Sequence, residues 1–144
     1  MKAISSSYSL EGVRLKRVDF KALTDSEVEA FNKSPGRISF SRTVEESSLS
    51  EERKAFCVSL EVHLYNEDRD DSFLMIEMEG KFIANADMPK DLMDRVTAIQ
   101  APAILFPYVR QFVSVITLNS NMSPLTLPLI NMGAAMKKAE EIQE

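Results

Sequence analysis

Apolar and polar residues alternate strictly along one stretch near the middle of the chain, from Lys54 to Asn66. An alternation with a period of two is typical of a β-strand that buries one of its faces. The stretch therefore predicts a strand. Its buried face is expected to carry Phe56, Val58, Leu60, Val62 and Leu64.

A second alternating stretch, Ser72 to Ala84, follows after a short charged break and predicts a hairpin partner for the first strand. Its polar face carries Glu77 and Glu79, so this side of the sheet is expected to face water. Gly80 interrupts the apolar face, and a glycine inside a strand is typical of a β-bulge.

Two further strands are predicted upstream of this hairpin. The apolar positions of the first, Tyr8 to Phe20, change phase near Lys16, which predicts a bulge or twist at that point. The second, Arg37 to Glu45, leads into a polar stretch, "EESSLSEER", that is expected to be a polar turn or an exposed loop. Between the two strands, Thr24 or Asp25 is expected to cap one short helical turn.

The spacing of apolar residues becomes helical after Ala84. A first helix is expected to begin near Pro89 and to halt at Pro102. A second, Ala103 to Asn119, is expected to be long and amphipathic, with Pro107 in or just after its first turn, where a missing N–H costs little. Its apolar stripe is expected to comprise Leu105, Val109, Phe112 and Ile116, widened by Tyr108 and Val115.

The end of the chain contains an apolar segment that fits neither a helix nor a sheet interior, "PLTLPLI". Its two prolines have no backbone N–H to donate, while its leucines and isoleucine need to be covered by another part of the protein. A helical tail follows this segment. Strands followed by helices predict an α+β protein, and we expect residues 1–144 to form a single domain.

The composition narrows the class of protein. A chain of 144 residues corresponds to one ordinary domain. The net charge of -5, without a dense cluster of lysine or arginine, makes a nucleic-acid partner unfavourable. The start of the chain has no apolar stretch of signal-peptide length, and Cys57 is the only cysteine, so we expect a cytoplasmic protein without a disulfide. No wholly apolar run approaches the roughly 20 residues that span a bilayer, so membrane insertion is not expected.

Catalytic and metal-binding chemistry is not expected. His63 is the only histidine, and an extended strand places it about 20 Å from Cys57, too far apart for a nucleophile and its base. A zinc site normally needs three or four ligands, and "EDRDD" lacks the spacing of a calcium loop. We therefore expect no enzyme activity, no cofactor and no metal.

Two motifs near the end of the chain resemble a known family. "APAILFPYVRQF" and, further along, "PLTLPLINM" are similar to the SecB family of bacterial protein-export chaperones, in which an "ILFPYAR" helix precedes a leucine- and proline-rich crossover loop. The resemblance implies a four-stranded antiparallel sheet with a long helix and a C-terminal helix. It also implies a homotetramer, built as a dimer of dimers, that holds unfolded preproteins in apolar grooves and passes them to the Sec pathway without catalysis.

The resemblance also assigns roles to individual residues. The client-binding groove beneath the crossover loop is expected to be lined by Phe40, Met122, Leu125, Leu127, Leu129, Ile130, Met132 and Met136. The long helix carries more apolar residues than one face needs, and surplus apolar surface usually marks a partner. The oligomer interface is accordingly expected to contain Ile104, Phe106, Tyr108, Phe112, Val113 and Ile116.

The charge of the outer sheet face departs from the family pattern. In the family, acidic residues on that face receive the export motor SecA, and Glu77 and Glu79 supply such charge in this chain. Arg17 and Lys21, however, occupy positions of the first strand region where carboxylates are expected. An alternative function is therefore that of a dedicated SecB-like chaperone of a single client, such as an antitoxin, that is not coupled to SecA.

Overall fold

The computed structural model describes residues 8–33, 36–66, 70–120, 124–128 and 130–143. Within these residues, four antiparallel strands form one sheet in the order β1-β4-β3-β2. The strands are β1 (Tyr8–Phe20), β2 (Ile38–Ser48), β3 (Arg53–Tyr65) and β4 (Ser72–Asn85). The helices are α1 (Asp25–Lys33), α2 (Lys90–Arg95), α3 (Ala101–Asn119) and α4 (Met132–Gln143). The predicted four-stranded antiparallel sheet with a long helix and a C-terminal helix is confirmed.

The two central strands, β3 and β4, supply most of the core. Alternate residues of β3, from Phe56 to Leu64, and their partners on β4, from Leu74 to Phe82, lie on one face, here called the inner face, and α3 packs across it. Phe56 and Phe82 are register partners on this face, and their rings stack 5.1 Å apart. The predicted buried set of β3, from Phe56 to Leu64, is confirmed, since each of its five apolar residues is at most 2% exposed. Each such side chain contributes about 1.5 to 3 kcal/mol by leaving water.

Strand β1 pairs with β4 along its whole length but not in a single register. The register shifts between Leu10 and Gly12 and again between Leu15 and Arg17. The second shift falls at Lys16, which confirms the irregularity predicted from the change of apolar phase. A bulge inserts one extra residue and so returns the later apolar side chains to the inner face.

Gly80 is not a bulge, contrary to the pattern-based expectation. It pairs regularly with Val58 on β3 and with Val13 on β1. A Cβ atom at this position would lie 2.9 Å from the ring of Phe82 and 3.0 Å from the Cδ2 of Leu105. The glycine is therefore required because α3 comes close to the sheet at this point.

Strand β2 extends further than its hydrophobic pattern indicates. The stretch expected to form an exposed loop after Glu45 instead continues the ladder with β3 as far as Ser48, which pairs with Lys54. An ion pair supports this extension, since Lys54 Nζ lies 3.1 Å from Glu46 Oε1. The prediction is confirmed for the turn at residues 49–52 and wrong for residues 46–48, because ladder hydrogen bonds use the backbone and do not need apolar side chains.

Helix α1 has nine residues rather than the single turn that was expected. Thr24 caps it, because its Oγ1 accepts a hydrogen bond from the N–H of Glu27 while the Glu27 carboxylate accepts one from the N–H of Thr24. This reciprocal pair is a capping box. The helix packs against the face of the sheet opposite the inner face, here called the outer face, where Phe31 meets Phe73 edge to face at 5.4 Å.

The two helices predicted after β4 are one continuous helical stretch, Lys90–Asn119. The predictions that a helix halts at Pro102 and that Pro107 falls near a first turn are therefore wrong. A π-helical turn, Val96–Gln100, lies just before Pro102, and such turns accommodate irregular bonding inside a helix. Pro107 has no N–H to bond the carbonyl of Ala103, four residues earlier in the helix. Both residues are exposed, so water can reach this carbonyl.

The side of α3 that faces the sheet differs from the predicted stripe. Leu105 and Val109 are fully buried, as expected. Phe112 and Ile116 are only half-buried, and Tyr108 and Val115 are exposed. The buried side is rotated toward residues outside the predicted stripe: Phe106, Val113 and Thr117. Helical periodicity identified an apolar helix but not which part of its wide apolar band meets the sheet.

Candidate functional site

A short extended segment, residues 124–128, lies against α3 and forms the centre of the candidate site. Exposed and buried residues alternate along it, with Leu125 and Leu127 at 0% and 1% exposure and Thr126 exposed between them. This is the pattern of an extended strand that inserts every second side chain into a core. The segment belongs to the crossover loop expected from the sequence and is here called the crossover segment.

Three polar side chains of α3 bind the backbone of the crossover segment. Arg110 Nε donates to the carbonyl of Leu127 at 3.0 Å, and Ser114 Oγ donates to the carbonyl of Leu125 at 3.0 Å. Thr117 Oγ1 accepts a hydrogen bond from the N–H of Leu125 at 2.9 Å. Positions 110, 114 and 117 are four and three residues apart, so all three side chains lie on one side of the helix. Sequence reasoning did not identify this polar stripe, because its partners are backbone atoms of a distant loop.

The expected groove residues divide into two groups. Phe40 and Ile130 are half-buried, and the Phe40 ring lies 5.9 Å from that of Phe106 in an edge-to-face arrangement. The buried group, by contrast, belongs to the hydrophobic core and is closed to a ligand in this conformation: Leu125, Leu127, Met132 and Met136. Met122 and Leu129 lie outside the described residues.

The residues expected at the oligomer interface also fall into two groups, and the assignment of Phe106 and Val113 needs correction. Phe106 and Val113 are 4% and 1% exposed, because they face the sheet, and they offer no surface to a partner. Tyr108 is 39% exposed, and the remaining three are half-buried: Ile104, Phe112 and Ile116. Tyr108 and these three residues therefore remain available at the protomer surface.

A second apolar stripe runs along the exposed side of α3, away from both the sheet and the crossover segment. It consists of Ile104, Tyr108, Val115 and Leu118, with Gln111 between the second and third. Val115 is 45% exposed and Leu118 is 59% exposed. The five positions are spaced 4, 3, 4 and 3 residues apart, which is the spacing with which one helix packs along another. We call this set the exposed stripe of α3.

Strand β1 adds further apolar surface on the inner face. Leu10 and Val18 pair with the buried residues Phe82 and Ile76 of β4, yet they are 38% and 37% exposed. The inner-face residues of β3 and β4 are buried because α3 crosses over them. The register with β4 places these β1 side chains on the inner face, and the sequence pattern gave no sign that they would remain uncovered.

Acidic residues of the outer face are already paired with basic residues of β1. Arg14 donates to Glu79 Oε1 at 2.9 Å, and Lys16 Nζ lies 3.4 Å from Glu79 Oε2 and 3.9 Å from Glu77 Oε2. The side chains of Glu77 and Glu79 are only 18% and 14% exposed. Of the two basic residues singled out from the sequence, Arg17 lies opposite Glu77 in the register. Lys21 is paired with Asp71 at 3.7 Å.

The titratable residues of β3 do not form a catalytic arrangement. His63 Nε2 lies 2.6 Å from Glu61 Oε1, its Nδ1 lies 3.2 Å from Ser72 Oγ, and its ring stacks on Tyr65. Partial burial raises the pKa of the Cys57 thiol, and the charge of Glu79 raises it further. A raised pKa lowers the thiolate fraction and so makes a weaker nucleophile. Within the described residues, no cluster of histidine, cysteine and carboxylate side chains has the composition of a metal site.

The continuous helix Lys90–Asn119 is long and apolar enough to cross a membrane, with a mean hydropathy of 1.4 over its most apolar window. Length and composition alone do not separate such a span from the core helix of a folded domain. In this protein seven residues of α3 are buried, Leu105 and Val109 among them, and the helix lies across β3 and β4. It is therefore a packed element of the fold described here.

Comparison with known proteins identifies a family. The family model described as preprotein translocase subunit SecB matches residues 6–143. Among curated proteins, an uncharacterised protein of Methanocaldococcus jannaschii is 39% identical over 75 residues, which are 50% of this chain and 46% of that protein. The protein-export protein SecB of Magnetococcus marinus is 33% identical over 87 residues, which are 58% of this chain and 55% of that protein. The matches thus span about half the length of these curated relatives.

Two solved structures share the fold. The Mycobacterium tuberculosis SecB-like chaperone Rv1957, in complex with a ChAD peptide from the HigA1 antitoxin, aligns with a TM-score of 0.56 at 14% identity, over 86% of this chain and 88% of that one. A Streptococcus agalactiae protein of unknown function aligns with a TM-score of 0.55 at 11% identity, over 85% of this chain and 97% of that one. At such low identity these likenesses establish the fold alone.

Proposed function

We propose that this chain, which belongs to the SecB family, is an ATP-independent holdase chaperone that binds unfolded preproteins and keeps them competent for export by the Sec pathway. The resemblance noted in "ILFPYVR" and "PLTLPLINM" is confirmed by the family match over nearly the whole chain. Family membership and the SecB-like fold support a chaperone role. In this proposal the chain acts as one cytoplasmic domain and holds its clients without catalysis.

The observation that carries the proposal is the apolar surface that the protomer leaves in contact with water. Eight large apolar residues among those described are at least 37% exposed: Leu10, Val18, Val44, Leu49, Ile99, Tyr108, Val115 and Leu118. Single exposed apolar residues are ordinary, but several of these are aligned on α3 and on β1. Surfaces of this kind support two roles, assembly with further copies and the holding of unfolded chains.

For assembly, we assign the exposed stripe of α3 and the inner face of β1 to contacts between protomers. Ile104, Tyr108, Val115 and Leu118 have the spacing of a helix-packing seam, so an α3 from a second copy would cover them. Leu10 and Val18 extend the apolar surface onto the edge strand. A homotetramer built as a dimer of dimers would bury both sets.

For client binding, we assign the half-buried Phe40 and Ile130 to the groove beside the crossover segment. Their side chains have apolar surface on the exterior of the protomer and contact the core on the other side. Shallow contacts of this kind are individually weak, but repetition over several protomers multiplies their effect through a high local concentration. Such a surface would hold many unfolded sequences.

A second candidate function is that of a dedicated chaperone with one client and no coupling to SecA. The ion pairs of the outer face favour it, because Arg14 and Lys16 already neutralise Glu77 and Glu79. A basic surface on a motor protein would have to displace these cations. The solved complex of the Mycobacterium tuberculosis SecB-like chaperone with an antitoxin peptide supports such a client class.

Light scattering tests the proposal. The purified protein is measured alone and with a reduced, slowly folding preprotein, a second unrelated unfolded protein and the native form of each. A general holdase is expected to be a tetramer that captures both unfolded chains and neither native form. Capture of one client alone would select the dedicated chaperone, and a monomer that captures neither would overturn both functions.

A further inference from the structure

We infer that α3 has two registers against the sheet that differ by one residue, and that the π-helical turn before α3 stores this residue. In the first register, which is the one in this structure, the N–H of Ala101 donates to the carbonyl of Val96, five residues earlier. An α-helix joins residues that are four apart, so the turn Val96–Gln100 holds one residue more than an α-helical turn. The inference concerns which surface α3 presents, and it therefore goes beyond the proposed function.

Conversion of the π-helical turn to an α-helical turn would move all of α3. In an α-helix each residue advances about 100° around the axis and about 1.5 Å along it. Each residue of α3 would therefore take the place that the next residue holds in the first register. The five buried places after Pro102 now hold Leu105, Phe106, Val109, Val113 and Thr117. In the second register they would hold Ile104, Leu105, Tyr108, Phe112 and Ile116.

The exposed stripe of α3 would become polar in the second register. Its five places now hold Ile104, Tyr108, Gln111, Val115 and Leu118. In the second register they would hold Ala103, Pro107, Arg110, Ser114 and Thr117. The register of α3 therefore decides whether this side of the protomer presents apolar or polar side chains to its surroundings.

The balance of apolar burial favours the second register. Four large side chains would move from exposed or half-buried places to buried ones, namely Ile104, Tyr108, Phe112 and Ile116. In exchange, Phe106 would become exposed, while Val109 and Val113 would become half-buried. The net transfer of large apolar side chains out of water is favourable. Helical periodicity selects the same side, since Tyr108, Phe112 and Ile116 all belong to the stripe predicted from the sequence.

Hydrogen bonds between α3 and the crossover segment favour the first register. Arg110 and Ser114 donate to carbonyls of that segment, and Thr117 accepts the N–H of Leu125. In the second register these three places would hold side chains without polar atoms, namely Val109, Val113 and Ile116. The buried N–H of Leu125 would lose its acceptor, and a buried donor without a partner is costly. Apolar burial and hydrogen bonding thus favour different registers, which makes α3 a two-state element.

Deletion of Ala98 tests whether the turn stores one residue. Without Ala98 the turn has the length of an α-helical turn, and every later residue of α3 keeps its place in the first register. We therefore expect this variant to unfold at the same temperature as the unmodified chain or above it. Deletion of both Ala98 and Ile99 is the control, because only one residue is stored, and it should lower the unfolding temperature by roughly 10 °C or more. A single deletion that lowers this temperature as much as the double deletion would overturn the inference.

Cysteine alkylation tests whether α3 changes register. The reporter is Val109→Cys in a Cys57→Ser background, and Val109 is 0% exposed in the first register. Ser114→Ala combined with Thr117→Val removes two of the three side chains that bind the crossover segment, so the second register should become populated. Position 109 then takes the half-buried place of Arg110. We expect iodoacetamide to react about tenfold faster than with the reporter alone.

Adding the deletion of Ala98 to this alkylation variant distinguishes a change of register from local loosening. Without the stored residue α3 has only the first register, so alkylation should return to the slow rate although two hydrogen-bonding side chains are still missing. If these side chains merely stabilise the packing around them, the rate stays fast. An unchanged rate before the deletion, or a fast rate after it, would overturn the inference. None of these measurements uses a client, so their outcome is independent of the proposed function.

Discussion

The guanidinium of Arg14 donates to the Oε1 of Glu79 at 2.9 Å, and the two residues are register partners on β1 and β4. Lys16 adds a second cation to the same carboxylate at 3.4 Å. An acidic outer face expected from the resemblance is thus balanced within the protomer by residues of its edge strand. Coupling to SecA at the outer face and binding of clients can therefore be tested separately in this protein.

Removing both cations should expose the acidic residues. We expect Arg14→Ala combined with Lys16→Ala to bind SecA more tightly than the unmodified chain in calorimetric titrations at low salt. Because Arg14 is 69% exposed, the loss of its ion pair should cost less than about 1 kcal/mol of stability. Lys21→Ala is the control, since Lys21 pairs with Asp71 instead. No SecA binding by either variant would favour the dedicated chaperone.

Gly80 should not tolerate a side chain. Gly80→Ala places a methyl group 2.9 Å from the Phe82 ring and 3.0 Å from Leu105, and overpacking of this kind costs about 1 to 3 kcal/mol. Gly12→Ala on β1 is the matched control, because no atom of the described residues, apart from its two chain neighbours, lies within 4 Å of its added Cβ. Urea unfolding of both variants measures the difference. Equal stability would mean that α3 shifts away from the sheet at little cost.

We predict that Pro107, which is exposed, makes α3 less stable than an alanine at the same position would. Pro107→Ala restores one helical N–H, and we expect the free energy of unfolding to rise, by at most about 3 kcal/mol. Pro89→Ala is the control, because Pro89 precedes the first residue of α2, where a backbone N–H has no helical partner. Thermal unfolding monitored by circular dichroism compares the two. A less stable Pro107→Ala would show that the fold needs a bend at the proline.

Assembly should depend on the exposed stripe of α3. Tyr108→Asp introduces a charge at a 39% exposed position, so we expect the protomer to fold while the oligomer dissociates to smaller species. Ala103→Asp is the control, at an exposed position of the same helix outside the stripe. Sedimentation velocity reports the mass of each. An unchanged oligomer in Tyr108→Asp would remove the stripe from the interface.

Cys57 should react slowly at neutral pH. Its pKa is raised above 9.0 by burial and by Glu79, so the folded chain holds the thiol proton more tightly than the unfolded chain. Alkylation by iodoacetamide at pH 8 is expected to be slower in the folded protein than in urea, and to accelerate as the pH rises above 9.0. By linkage, stability decreases over the same interval, from 9.0 up to the folded pKa. Mass spectrometry measures the rate, and equally fast alkylation in both states would contradict the prediction.

Local sequence patterns predicted those elements whose signals are carried by residues close together in the chain. Alternation located β3 and β4 and their buried faces, and a change of apolar phase located the register shift at Lys16. A capping residue was located at Thr24 or Asp25, and the structure selects Thr24. In each case neighbouring residues carry the information, because a strand needs a period of two and a helix start needs an acceptor for its free N–H groups.

Only the tertiary structure decided how the apolar surface is divided. The broad apolar band of α3 supplies one side to the sheet, at Phe106 and Val113, and another side to the exterior, at Tyr108 and Val115. The sequence likewise determined that the crossover segment is apolar and not helical, whereas contacts with Arg110 and Thr117 decided that its leucines lie in the core. Periodicity records which residues avoid water, but the position of the neighbouring element decides which of them are covered.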